Sequence, residues 1–134
     1  MVKARLNPGT VNEGFRIEDL KHTGGMAHLW SVTREDDGAG FLMKTPVIYE
    51  GEDPAAIVSF EMEQMIMPRL KGPHVPRHVA NGDFAVQPYI VMERLAGETL
   101  LPQLDHLPLP VEKVAELGAA IADAIEAVHR QGVI

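Results

Sequence analysis

The sequence contains no cysteine, which excludes a disulfide framework, a thiolate zinc centre and a cysteine nucleophile. A reducing cytoplasm suits such a chain. No apolar run approaches the roughly 20 residues of a membrane-crossing helix, and the opening MVKARLNPGTVNEGFR lacks the apolar stretch of a secretory signal. Positive charge is scarce: 12 Lys and Arg face 19 Asp and Glu, for a formal net charge of −7 with the six histidines neutral. Proteins that grip a nucleic-acid backbone concentrate Lys and Arg on one face, so nucleic acid is set aside as the main partner. The histidines, at positions 22, 28, 74, 78, 106 and 129, show no HExxH-type spacing. His74 and His78 are four apart, but Pro73 and Pro76 preclude a helix there. No metal site is assigned.

What remains is 134 residues, 46% of them hydrophobic, enough for one domain or a large piece of one. Residues 1–13 read as a loose, flexible leader with a turn at Asn7-Pro8-Gly9. Residues 14–22 and 27–33 read as strands flanking Gly24-Gly25, and Phe41-Leu42-Met43-Lys44 as a third strand after a polar turn. The period then changes. Glu52-Asp53-Pro54 is a helix-start signal, and Ile57, Phe60, Met62, Met65 and Ile66 suit one buried helical stripe. Pro68 ends or kinks that helix near Met67. Residues 77–80 and 84–87 form a weak strand or hairpin, and Tyr89-Ile90-Val91-Met92 is a buried strand. After the rigid Leu107-Pro108-Leu109-Pro110, a helix spans about Val111 to His129, with Val114, Leu117, Ile121, Ile125 and Val128 three or four apart. Gly132 is its stop signal. The chain ends on the apolar Val133-Ile134, as though cut where another segment begins.

In this order the elements resemble the front half of a protein kinase, most closely the bacterial serine/threonine kinases. Five local matches over residues 14–134 carry the resemblance: Gly24-Gly25-Met26 in the glycine-rich loop, Lys44 closing the third strand, Phe60-Glu61-Met62-Glu63 in the following helix, Tyr89-Ile90-Val91-Met92-Glu93 with Gly97-Glu98-Thr99-Leu100 at the fifth strand and hinge, and Val128-His129-Arg130-Gln131-Gly132-Val133-Ile134 just before the catalytic loop. Serine/threonine rather than tyrosine specificity rests on Gly24-Gly25-Met26 alone.

The resemblance implies an α+β fold: a kinase small lobe with a five-stranded antiparallel sheet and one packed helix, then one or two helices of a truncated large lobe. Residues 14–95 would be the nucleotide-binding lobe, and 96–134 the segment after the hinge. Lys44 would pair with the ATP α- and β-phosphates and Glu63 would hold its ammonium, the two catalytic residues of the chain. Glu61, about 200° round the helix from Glu63, is the alternative. Thr23, Gly24 and Gly25 would cover the phosphates. Leu20, Leu29 and Leu42 would line the adenine site with Met92 as gatekeeper, and the backbone at Glu93 and Leu95 would bond the adenine edge. Asp83-Phe84-Ala85 looks like Asp-Phe-Gly but precedes the hinge, and is read as part of a turn.

Three departures bear on this. His22 stands where the loop pattern has its first glycine, and its side chain is expected to turn away from the nucleotide. Ala27 replaces the third glycine, and Leu42 replaces the small alanine against the adenine. The catalytic loop and the Asp-Phe-Gly that hold Mg²⁺ are not within the 134 residues, so the chain alone is expected to be inactive although its parent would use ATP and Mg²⁺ on protein substrates. A binding module with a kinase-like fold and an unrelated α+β interaction domain stay open beside this reading. The last helix, without a large lobe to cover its stripe, is expected to pack on the small lobe, to exchange with a second copy, or to stay mobile.

Overall fold

The computed structural model describes residues 6–47 and 54–134, so Glu52 and Asp53 of the helix-start signal lie outside the described residues. The chain divides into two compact units, Met1–Arg69 with Pro76–Arg94, and Leu70–Val75 with Leu95–Ile134.

The first unit is built on an antiparallel sheet. Its strands are β1 (Val11–Asn12), β2 (Phe15–Thr23), β3 (Ala27–Arg34), β4 (Gly40–Pro46), β5 (His78–Asn81) and β6 (Ile90–Glu93), in the order β1-β2-β3-β4-β6-β5. The sheet has six strands where the sequence predicts five. The extra one lies in the expected leader. Asn7–Thr10 forms a turn closed by Thr10, and the Gly9 and Ile17 amides bond across it to Ile17 and Thr10, so β1 pairs with β2. Residues 84–87, read as strand, form a turn instead, in which the Asp83 carboxylate and carbonyl accept the amides that follow.

Strict alternation along the strands sorts the core onto two faces. Phe15, Ile17, Trp30, Val32, Phe41, Met43, Tyr89 and Val91 pack on one. Ile90 and Met92 meet Phe60 on the other, with Leu42, Met67 and Phe84 beside them. Two polar contacts, one buried and one part-buried, tie the first face down. The Trp30 indole donates to Thr45 Oγ1 at 3.1 Å, and the Tyr89 hydroxyl donates to the Glu13 carboxylate. Gly82 is required by space: a Cβ there would run into the Tyr89 ring and the Gln87 carbonyl.

Helix α1 (Ala55–Ile66) follows Pro54, whose φ of −57° is already helical. Pro68 then forces the tighter turn Met67–Arg69. The buried face is only part of the predicted stripe, Ile57 and Ile66 being half-buried. Phe60 and Gln64, one turn apart, are buried, whereas Met62 and Met65 are exposed. Gln64 is the anchor that apolar periodicity misses: its Nε2 donates to the carbonyls of Gly82 (3.1 Å) and Tyr89 (2.9 Å), while Asn81 Nδ2 donates to the Gln64 carbonyl (2.8 Å).

The second unit holds a short 3₁₀ segment, Leu101–His106, and helix α2 (Val111–His129). The bounds of α2 match the periodicity. It ends where Gly132 takes a left-handed φ of +87°, which glycine adopts freely. The Gln131 amide nitrogen donates to the Lys71 carbonyl, and the Lys71 amide donates to Gln131 Oε1, both at 2.8 Å. No residue of α2 is buried. Among the described residues, no helix is long and apolar enough to cross a membrane.

Candidate active site

The register of β2, β3, β4 and β6 builds the site. His22 lies opposite Leu29, Leu29 opposite Lys44, and Lys44 opposite Ile90. Directly opposed residues share a face, so His22, Leu29 and Lys44 form one cross-strand row on the face that carries α1. Helix α1 brings Glu63 over that row. Lys44 Nζ donates to both Glu63 oxygens, at 2.8 and 2.7 Å. About a third of each side chain stays exposed, 30% and 32%. The pair is therefore only partly buried, and its weight lies in orienting the ammonium more than in stability. An ammonium has three donors, and among the described residues Glu63 takes two of them. Glu61 is exposed and does not share the buried side of α1.

The ion pair opens on a cleft of about 400 Å³, lined by His22, Ala27, His28, Leu29, Lys44, Glu63, Met67, Pro76 and Met92. A smaller hollow of about 100 Å³ shares Lys44 and Glu63 and reaches Met26, Ser59 and Phe60. The cleft thus has an apolar wall and one fixed cation, the combination of a small-molecule site that reads one polar feature.

Of the residues singled out in the sequence, Lys44, Glu63, Leu29 and Met92 meet at this cleft. Leu42 is half-buried behind Met92, in the cluster with Phe60. Thr23, Gly24 and Gly25 form the tip of the β2–β3 hairpin, closed by the Gly24 amide donating to the Ala27 carbonyl at 2.9 Å. Neither glycine has a left-handed φ, and a Cβ on Gly24 would meet only ordinary contacts, while one on Gly25 would meet nothing. The turn itself does not demand glycine at either position. Glu93 is engaged through its amide, which donates to the Arg77 carbonyl, and through its carboxylate, which accepts from the Arg77 amide. Leu95 opens the second unit and is exposed.

Leu20 and His22 are placed differently from the rest. Leu20 is not among the residues that line this cleft; register shifts on either side of it set it opposite Trp30, 46% exposed. His22 lines the cleft rather than turning away from it. Among the described residues no cluster of three or more metal-ligating side chains occurs.

An antiparallel sheet, one helix across it and a lysine held by that helix's glutamate define a kinase-like small lobe. The comparisons agree. No family model matches the sequence. A probable serine/threonine-protein kinase PknB from Lactococcus lactis is 32% identical over 125 residues, covering 90% of this chain and 20% of the relative. The PknI kinase domain of Mycobacterium tuberculosis superposes with a TM-score of 0.74 at 22% identity, over 97% of this chain and 54% of that one. The apo form of PpkA-294 gives 0.65 at 16% identity, over 78% and 43%. The chain is a bacterial serine/threonine-kinase-like segment. It spans about a fifth of the curated relative and about half of the PknI domain.

Proposed function

We propose that the cleft beside Lys44 binds ATP, as the nucleotide-binding part of a kinase that transfers the γ-phosphate to serine or threonine hydroxyls of proteins. The observation that carries this reading is the ion pair: Glu63 grips the Lys44 ammonium with two bonds at the mouth of an apolar cleft. An ammonium so fixed pairs with phosphate oxygens without first having to be ordered. Gly24 and Gly25 add support, because the turn does not need them and a close-lying phosphate would. In this reading Leu29, Leu42 and Met92 wall the adenine site, Thr23, Gly24 and Gly25 close over the phosphates, and the backbone of Glu93 meets the adenine edge.

Mg²⁺ would act with ATP, but the residues that hold it in kinases do not occur in the 134 residues. Phosphoryl transfer rests on that charge neutralisation, so the chain by itself binds nucleotide and does not turn it over. Protein substrates belong to the larger kinase, and its setting in this reading is the cytoplasm, where ATP is at hand. Self-association through α2 is part of the same reading, supported by the exposure of Val114, Ile121 and Ile125.

Calorimetric titration of ATP into the purified chain tests the site. Binding that weakens at least tenfold in both Lys44→Met and Glu63→Gln is expected, about the 1.4 kcal/mol or more of one lost charge-assisted contact. Equal binding by all three proteins would remove Lys44 and Glu63 from the site.

A further inference from the structure

We propose that His22, in its imidazolium form, is a second phosphate-contacting cation of the cleft, so that this chain binds nucleoside triphosphate more tightly as the pH falls. The inference rests on the ATP site described above and adds a residue to it.

Three observations converge. First, His22 and Lys44 stand in one cross-strand row, separated only by Leu29. Neighbouring strands lie about 4.8 Å apart, so their backbones are about 10 Å apart on the same face, close enough for one polyphosphate to meet both. Second, the His22 ring leans along the hairpin tip. Its Nε2 and Cδ2 lie 3.7 and 4.0 Å from where a Cβ on Gly24 would be. The ring thus borders the cleft next to the two glycines that leave backbone uncovered. Third, the charges need it. Among the described residues, the titratable groups lining the cleft are His22, His28, Lys44 and Glu63. Lys44 is matched one-to-one by Glu63, so with neutral imidazoles the cleft carries no net charge, on a chain whose formal charge is −7. A triphosphate would enter with no cation in excess. Imidazole is the side chain that gains its charge between about pH 8 and about pH 5.

His28 is distinguished by the same alternation. It shares its face with Trp30, their rings 6.1 Å apart, and its Nδ1 lies 3.3 Å from Thr23 Oγ1. Although it also lines the cleft, its position on β3 alternates away from Lys44, and its ring is engaged by Trp30 and Thr23. On β2 itself, the nearest charged neighbour, Lys21, is drawn towards Asp19 at 3.8 Å.

ATP is titrated into the 134-residue chain at about pH 6 and about pH 8, both within the range over which imidazole changes charge. The wild-type chain is expected to bind about fivefold more tightly at the lower pH, the effect of one added ion pair at a partly exposed site. His22→Gln should abolish the part of that ratio which His28→Gln keeps. The comparison cancels the protonation of ATP itself. His22→Lys should hold the acid-level affinity at both pH values. The inference is overturned if His22→Gln keeps the wild-type ratio, if the ratio follows His28 instead, or if His22→Gly binds more tightly than wild type at both pH values, which would make the ring an obstruction. Absence of ATP binding by the wild-type chain at either pH would remove the site reading itself, and this inference with it.

Discussion

Helices α1 and α2 make opposite use of their sequences. Helix α1 leaves Met62 and Met65 of its predicted stripe exposed, yet it is docked: Phe60 enters a buried cluster with Ile90 and Met92, and Gln64 bonds to two carbonyls of the first unit. The apolar residues of α2 repeat at regular helical intervals, yet none is buried, with Val111 80% and Val114 55% exposed. Periodicity states which face of a helix would be covered. It does not state whether anything covers it, because burial needs a partner surface at the right place in the fold. The docked helix is also the one whose position fixes Glu63 against Lys44.

The comparison breaks most easily at Phe60. Phe60→Ala empties a site only 4% exposed and should cost about 3–5 kcal/mol, the range for buried phenylalanine truncations. Trp30 is the single tryptophan and sits in the core of the first unit, so its fluorescence in a denaturant titration follows that unit. A loss under about 1 kcal/mol would mean that α1 is not held by this contact. Gln64→Leu sharpens the point at a smaller scale. It keeps the apolar bulk but removes the donor to the Gly82 carbonyl. The expected cost is about 1–3 kcal/mol, that of an unsatisfied buried acceptor. An unchanged midpoint would show that α1 is held by shape alone.

Much of this was legible in the residues, for reasons that differ by element. The alternation of β3 and β4 sorts side chains onto two faces, so Lys44 was readable as a residue beside the core. Glu63 was reached through its offset from Phe60, which the α-helical repeat preserves. Less visible were features that depend on distant partners. Gln64 serves carbonyls 18 and 25 residues away, and an amide in an apolar stripe leaves no periodic mark. β1 has two residues, too few to show a period. The pairing of Leu20 with Trp30 was not readable because β2 shifts register on both sides of it, and no pattern rule in the sequence announces a bulge. His22 was read from its position in a loop pattern, whereas its cross-strand row with Leu29 and Lys44 emerges only with the pairing.

The smallest effect belongs to α2, and it separates covering within the chain from covering by a second copy. Glutamine is at least as good a helix former as isoleucine, so Ile121→Gln with Ile125→Gln removes apolar surface and leaves the helix. Ile121 and Ile125 are 45% and 48% exposed. The double variant should therefore shift the Trp30 transition by no more than about 0.5 kcal/mol, as surface substitutions do. If the exposed face pairs with a second copy, light scattering on the wild-type chain will give a mass that rises with concentration, and the double variant will stay at the mass of one chain. Contiguous apolar surface of this kind marks an association site more often than a free one. A wild-type chain that stays monomeric over the same range removes self-association. A double variant that loses more than about 2 kcal/mol, as core truncations do, would show that α2 is covered within its own chain, and the contrast with α1 would then be one of degree.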